Sequence, residues 1–172
     1  PVEIAYAAKR IDFRHHPVWE AAADAFEQAV ESGADGDVLV FMPTEQDIRE
    51  TCEMLTGRGW PRTEIMPLYA RLPAADQRRV FAATGARKII VATNVAETSI
   101  TIPGIKYVVD TGLARISHYS PRTRTTSLPV GPVSKSSADQ RAGRCGRVRN
   151  GVCYRLYSQD DYDSRPRFTA PA

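Results

Sequence analysis

Two runs, Val38-Leu39-Val40-Phe41-Met42 and Ile89-Ile90-Val91-Ala92 after Lys88, are apolar without a break. A strand with one wet face alternates apolar and polar side chains. An unbroken, β-branched run belongs to a strand buried on both faces, which points to a parallel sheet covered on two sides by helices. The segments between and around the runs supply such helices. Pro17 suits a first helical position, and Trp19, Ala22, Phe26 and Ala29 then form one apolar stripe. Thr44 with Asp47 resembles a capping box, followed by an inner face of Ile48, Cys52 and Leu55 that closes at Gly57 and Gly59. A third helix fits residues from about Ala74 to Ala82. Further strands are expected over Ile65–Tyr69, Tyr107–Val109 and Gly151–Tyr157, while Val2–Tyr6 is either an entering strand or a linker. The alternation implies an α/β fold, a doubly wound and mostly parallel sheet with helices on both faces. Ligands bind such sheets at the carboxyl ends of the strands. The polar cluster Thr93, Asn94, Glu97, Thr98, Ser99 and Thr101 follows one such end.

Between the last strands, Arg115–Tyr119 and Thr123–Leu128 flank the turn signal Ser120-Pro121-Arg122 and read as a projecting β-hairpin with basic flanks. A helix over Ser136–Gly146 comes next. The 172 residues are most simply one domain, and 42% hydrophobic with 25% charged residues is ordinary for a soluble globule. The chain begins and ends abruptly, as a piece of something longer would. No run of about 18 apolar residues and no secretory signal pattern occurs, so no membrane partner is expected. Cys52, Cys145 and Cys153 have no CxxC or CxxH spacing, which argues against a disulfide framework and against zinc and fits a reducing, cytoplasmic setting. His15, His16 and His118 have no partners at metal or triad spacing, so no metal site is expected.

Charge is unevenly divided. Residues 1–110 hold 12 Lys and Arg against 16 Asp and Glu; residues 111–172 hold 11 against 4, with no acid between Thr111 and Ala138. A basic half of this kind suits a phosphate-bearing partner, although a solvated basic face would look the same. The densest cationic stretch is Gln140-Arg141-Ala142-Gly143-Arg144-Cys145-Gly146-Arg147. On a helix, Gln140, Arg144 and Arg147 fall at i, i+4 and i+7, on one stripe. One amide and two guanidiniums suit clustered negative charge. Glycines at Gly143 and Gly146 are locally unfavourable in a helix and suit close approach of a backbone or ligand.

Taken together, these stretches resemble a family. Lys88–Thr101 (KIIVATNVAETSIT), Gln140–Arg147 (QRAGRCGR) and Gly151–Tyr157 (GVCYRLY) look like motifs V and VI of DEAH-box helicases, and Gly36–Ile48 resembles motif IV. The tail from Ile102 to Thr169 resembles the bacterial HrpA-type branch. The resemblance covers nearly the whole chain in the family's order. It implies a RecA-like second motor domain of an ATP-dependent RNA helicase spanning residues 1–172, with 1–16 as entering segment and 158–172 as exit segment. Neither a GxxxxGK[ST] P-loop nor a DEAH box is present, so ATP with Mg²⁺ would be held mainly by a first RecA-like domain, and this chain alone is expected not to hydrolyse ATP.

The family positions carry over residue by residue. Arg144 and Arg147 match the two arginine fingers, and Gln140 matches the residue near the γ-phosphate and attacking water. Phe81 matches the ring that stacks on adenine, and Ser99 and Thr101 lie on the nucleotide side. Arg141 is either a nucleotide contact or a structural ion pair. Thr93 and Asn94 match motif V contacts to the RNA backbone. Thr44 substitutes as an RNA contact for Pro43, which stands where a hydroxyl is common, and Arg122 and Arg124 belong to the hairpin that wedges at a duplex junction. Pro103 replaces an acidic residue that meets the ribose in many members. Implied partners are RNA and the other domains of the same chain, with the protein acting as a monomer. The alternatives are a stand-alone polyanion-binding module with a degenerate motor fold and a DNA translocase of the same superfamily.

Overall fold

The computed structural model describes residues 2–7, 17–31, 36–82, 85–116, 118–120, 122, 125–127, 129–146 and 150–168. Its centre is a six-stranded sheet built from β1 (Val2–Tyr6), β2 (Asp37–Phe41), β3 (Thr63–Leu68), β4 (Arg87–Ala92), β5 (Ile105–Asp110) and, after two pairs of shorter strands, β10 (Gly151–Arg155). The spatial order is β1-β10-β5-β2-β4-β3, and every pairing is parallel. The apolar runs form the three central strands. Val38, Val40, Ile89, Val91, Tyr107 and Val109 point into one core layer; Leu39, Phe41, Ile90, Ala92 and Val108 point into the other. Each strand therefore feeds two cores, which is why its sequence does not alternate. Val2–Tyr6, readable as strand or linker, is the edge strand beside β10, and it is only half-buried, so its sequence carries a weaker signal.

Helices α1 (Val18–Glu31) and α2 (Glu45–Gly57) cover the first layer. The second is covered by α3 (Ala74–Arg78) with the 3₁₀ turn Arg79–Phe81, by α4 (Val95–Thr98), and by α5 (Lys135–Ala142). Helix starts follow local chemistry. The Thr44 hydroxyl accepts from the Asp47 amide at 3.1 Å, and the Ser134 hydroxyl accepts from Ser137 at 3.2 Å. Ser158 does the same for α6 (Gln159–Ser164), accepting from Asp161 at 3.1 Å.

The expected hairpin is longer at its base than the turn signal alone predicts. β6 (Leu113–Arg115) pairs antiparallel with β9 (Val130–Pro132), and β7 (His118–Ser120) pairs with β8 (Thr125–Ser127). Between them the Ile116 amide donates to the Pro129 carbonyl at 2.9 Å, so the two ladders keep one register and make one two-stranded arm. At its root, Gly112 sits at φ +74°, and a Cβ there would lie 2.6 Å from the Tyr157 ring and 2.9 Å from Arg165 Nη2. Gly112→Ala combines positive-φ strain with overpacking, and a loss of about 2–4 kcal/mol is expected in equilibrium urea unfolding. A loss under about 0.5 kcal/mol would mean that Tyr157 and Arg165 move aside freely.

Candidate functional site

The QRAGRCGR stretch starts on helix α5 and leaves it early. The helix ends at Ala142 rather than near Gly146. Beyond it, Arg144 N donates to Arg141 O at 3.1 Å and Cys145 N to Ala142 O at 3.4 Å, a tighter turn, and Gly146 reaches φ +78°. The chain then folds onto β10, so closely that a Cβ on Gly151 would lie 2.6 Å from Gly146 N and 2.8 Å from the Cys145 side chain. Arg144 lies in this turn past the helix, and its Nε donates to the Gln140 carbonyl at 3.2 Å. Arg147 lies outside the described residues, as does Arg124. Gln140 is exposed and Arg144 half-buried.

Arg141 points the other way, into the protein. It is the largest fully buried side chain among the described residues, with 0% exposure. Its Nε donates to Glu97 Oε1 at 2.7 Å, its Nη1 to Asp110 Oδ1 at 2.8 Å, and its Nη2 to the Leu113 carbonyl at 3.1 Å. The guanidinium also lies 4.7 Å over the Phe41 ring. Burial alone would lower its pKa; the Asp110 and Glu97 carboxylates beside it more than compensate and hold it above the usual arginine value. Of the two alternatives at this position, the ion pair is the one the geometry has, and Arg141 is withdrawn from the nucleotide-binding set. Asp110, at the end of β5, is equally committed: it accepts from the Gly112 amide at 2.8 Å and from the Tyr157 hydroxyl at 3.2 Å. The buried triad Glu97–Arg141–Asp110 bolts α5 to α4 and to the end of β5. The only sequence sign of it was two isolated acids, Glu97 and Asp110, each just past or at the end of an apolar strand.

The other candidates fall into two groups. Phe81, Thr101 and Arg144 each adjoin a residue of the second core layer (Val80, Ile102 and Cys145), so they project from elements on the same face of the sheet. Phe81 is 47% exposed although its position late in a helix suggests a core residue. Ser99 and Thr101 are exposed, and Pro103 with Gly104 makes an exposed turn. At the carboxyl end of β4, Thr93 is half-buried and Asn94 exposed. Asn94 begins α4 without a side-chain capping bond, so its amide is not used on the helix it starts. Thr44 follows β2, the strand beside β4, but its hydroxyl is taken at both ends, accepting from the Asp47 amide and donating to Asp47 Oδ2 at 2.7 Å. A helix cap has claimed it, and it is dropped as an RNA contact. Arg122 is exposed at the hairpin tip.

The cysteines carry no chemistry here. Burial pushes the Cys52 and Cys145 thiols up to about 11 and Cys153 well above its usual value, and all three are free. Among the described residues no helix is long and apolar enough to cross a membrane, and no group of three His, Cys, Asp or Glu side chains is placed to hold a metal ion.

Comparison with known proteins agrees with this fold. Residues 21–149 match the family described as helicase conserved C-terminal domain. The chain is 48% identical over 180 residues to the ATP-dependent RNA helicase HrpA of Escherichia coli K12, and 46% identical to the HrpA homolog of Haemophilus influenzae. Each alignment covers 99% of this chain and 14% of the relative, so the chain spans about one seventh of their length. A human relative, the probable ATP-dependent RNA helicase DHX35, is 47% identical over 80% of this chain and 21% of its own length. The crystal structure of the E. coli DExH-box NTPase HrpB superimposes with a TM-score of 0.89 at 35% identity, covering 99% of this chain and 21% of that one. On sequence, family and fold together, the chain belongs to the helicase conserved C-terminal domain family, as a second RecA-like domain of the HrpA-type DEAH-box kind.

Proposed function

We propose that this domain is the second motor half of an ATP-dependent RNA helicase. It completes, from across a cleft, an ATP site whose phosphate-binding wall belongs to a first RecA-like domain, and it holds the RNA backbone at the carboxyl end of its sheet. The observation that carries this reading is the Arg141 bolt: one buried guanidinium locks α5, on which Gln140 is exposed, with Arg144 in the turn just past its end. A module that merely binds polyanions needs positive charge, but it does not need charge held in fixed register by a buried ion pair.

In phosphoryl transfer, charge spreads over the γ-phosphoryl oxygens, and a guanidinium brought from outside stabilises it. Arg144 supplies that guanidinium, Arg147 a second, and the Gln140 amide orients the attacking water. Phe81 offers an exposed aromatic face for the base, which reads little of the base edge, and Ser99 and Thr101 face the nucleotide. Polar and aromatic groups that stand out from the surface fit a ligand presented by another domain, which would also hold the Mg²⁺ that accompanies ATP. Thr93 and the free Asn94 amide touch backbone phosphates without reading bases, and Arg122 with Arg124 carries the hairpin against RNA. Hydrolysis thereby couples to 3′-to-5′ movement.

The test compares the full-length protein with this 172-residue chain. RNA-stimulated ATP hydrolysis is expected from the former and none from the latter, which should still bind RNA with an affinity that falls steeply with salt. Turnover by the chain alone, or a full-length protein indifferent to RNA, contradicts the reading.

A further inference from the structure

The bolt at Arg141 fixes the inner side of α5; a second anchor fixes its outer side, and no motif contains it. Asp139, next to Gln140, gathers donors from three separate elements. Tyr162 of α6 donates its hydroxyl to Oδ1 at 2.8 Å, Arg155 of β10 donates Nη2 to the same oxygen at 3.2 Å, and Arg167 stands 3.6 Å from Oδ2. Arg155 is nearly buried, at 3% exposure. Its guanidinium packs over the Tyr162 ring at 4.4 Å and the Tyr6 ring at 5.5 Å, and Nη1 donates to the Tyr6 hydroxyl at 2.8 Å. Tyr6 ends β1, so both the first strand and the segment after β10 converge on one carboxylate of α5.

The same segment also grips the start of the helix. The Lys135 and Ser136 amides donate to the carbonyls of Pro166 and Arg167 at 2.9 and 3.0 Å, satisfying helix N–H groups that have no partner within α5. Arg165 Nη1 donates to the Gly112 and Val133 carbonyls at 2.8 and 2.9 Å, holding the strand that leads into the helix. Residues 162–167 thus hold α5 at its first turn and at Asp139, one residue before the proposed water-orienting amide.

We propose that Asp139 is a positioning residue for ATP hydrolysis: it ties the orientation of Gln140 and Arg144 to the chain segments that enter and leave the domain. The inference rests on the proposed function. A catalytic group displaced by about 1 Å can lose a hundredfold in rate, so a helix freed on one side costs turnover without loss of nucleotide binding.

The test uses the full-length protein with Asp139→Ala, Asp139→Asn, Asp139→Glu, Tyr162→Phe and, as comparator, Arg144→Ala, measuring RNA-stimulated kcat, KM for ATP and Tm. Asp139→Ala should lower kcat about tenfold or more with KM for ATP within about twofold. Tyr162→Phe, which changes no charge, should lower kcat about threefold, and Asp139→Asn, which keeps an acceptor for Tyr162, should fall between the two. Asp139→Glu should recover part of the loss. If Asp139→Ala does not fold, Asp139→Asn and Tyr162→Phe carry the test alone. An unchanged kcat with a lowered Tm overturns the proposal, because the anchor then serves stability only. A silent Tyr162→Phe with Asp139→Asn as severe as Asp139→Ala also overturns it, because the carboxylate then acts by its charge alone. An Arg144→Ala protein with normal turnover defeats the proposed function itself, whereas a dead Arg144→Ala beside an unaffected Asp139→Ala defeats only this inference.

Discussion

Arg144→Ala in the full-length protein is expected to lower RNA-stimulated ATP hydrolysis by about 10³-fold or more while leaving RNA affinity within about twofold. The size follows from where the charge develops. A guanidinium that meets the γ-phosphoryl in the transition state is worth about 10³–10⁵ in rate, or roughly 4–7 kcal/mol of barrier. The separation of effects follows from the fold: Arg144 sits past the end of α5 on the second core layer, while Thr93 and Asn94 follow β4. Arg144→Lys should recover little, because a compact ammonium lacks the planar fork. Comparable losses in turnover and in RNA binding would place Arg144 at the RNA instead.

The second large effect concerns stability. Arg141→Ala should cost about 3–5 kcal/mol in urea unfolding, because it leaves Glu97 and Asp110 buried at 7% and 0% exposure without their cation. Arg141→Lys should lose less, yet one ammonium cannot reach Glu97, Asp110 and the Leu113 carbonyl in the directions a guanidinium does. A loss below about 1 kcal/mol in the Arg141→Ala protein would mean that packing against Phe41, not charge, is what Arg141 supplies.

The sheet was readable from residues 38–42 and 89–92 because burial on both faces leaves a local mark, an unbroken apolar run. The edge strand β1 left a fainter mark because one side of it meets solvent, and the sequence allowed a linker as well. Local capping chemistry at Thr44 was equally visible, and it explains why the same hydroxyl is unavailable to RNA. The ion pair was not readable as a pair. Arg141 lies 44 residues from Glu97 and 31 from Asp110, and no local pattern announces which distant carboxylate a buried arginine will meet. The cationic spacing predicts a helix stripe of Gln140, Arg144 and Arg147, but not that the helix stops at Ala142 or that Arg141 turns inward. Phe81 went the opposite way: amphipathic spacing favours the core, and the 3₁₀ turn at Arg79–Phe81 places Val80 inside and Phe81 outside. The Asp139 anchor had no signature at all, since its partners come from β10, α6 and the segment beyond it.

The most direct measurement is a structure of the full-length protein with RNA and ADP–aluminium fluoride, a mimic of the transferring phosphoryl group. The account predicts the Arg144 guanidinium within about 3 Å of the fluoride ligands, with Arg141 still buried between Glu97 and Asp110. A guanidinium turned to solvent or paired elsewhere, with the mimic bound and RNA in place, would contradict it.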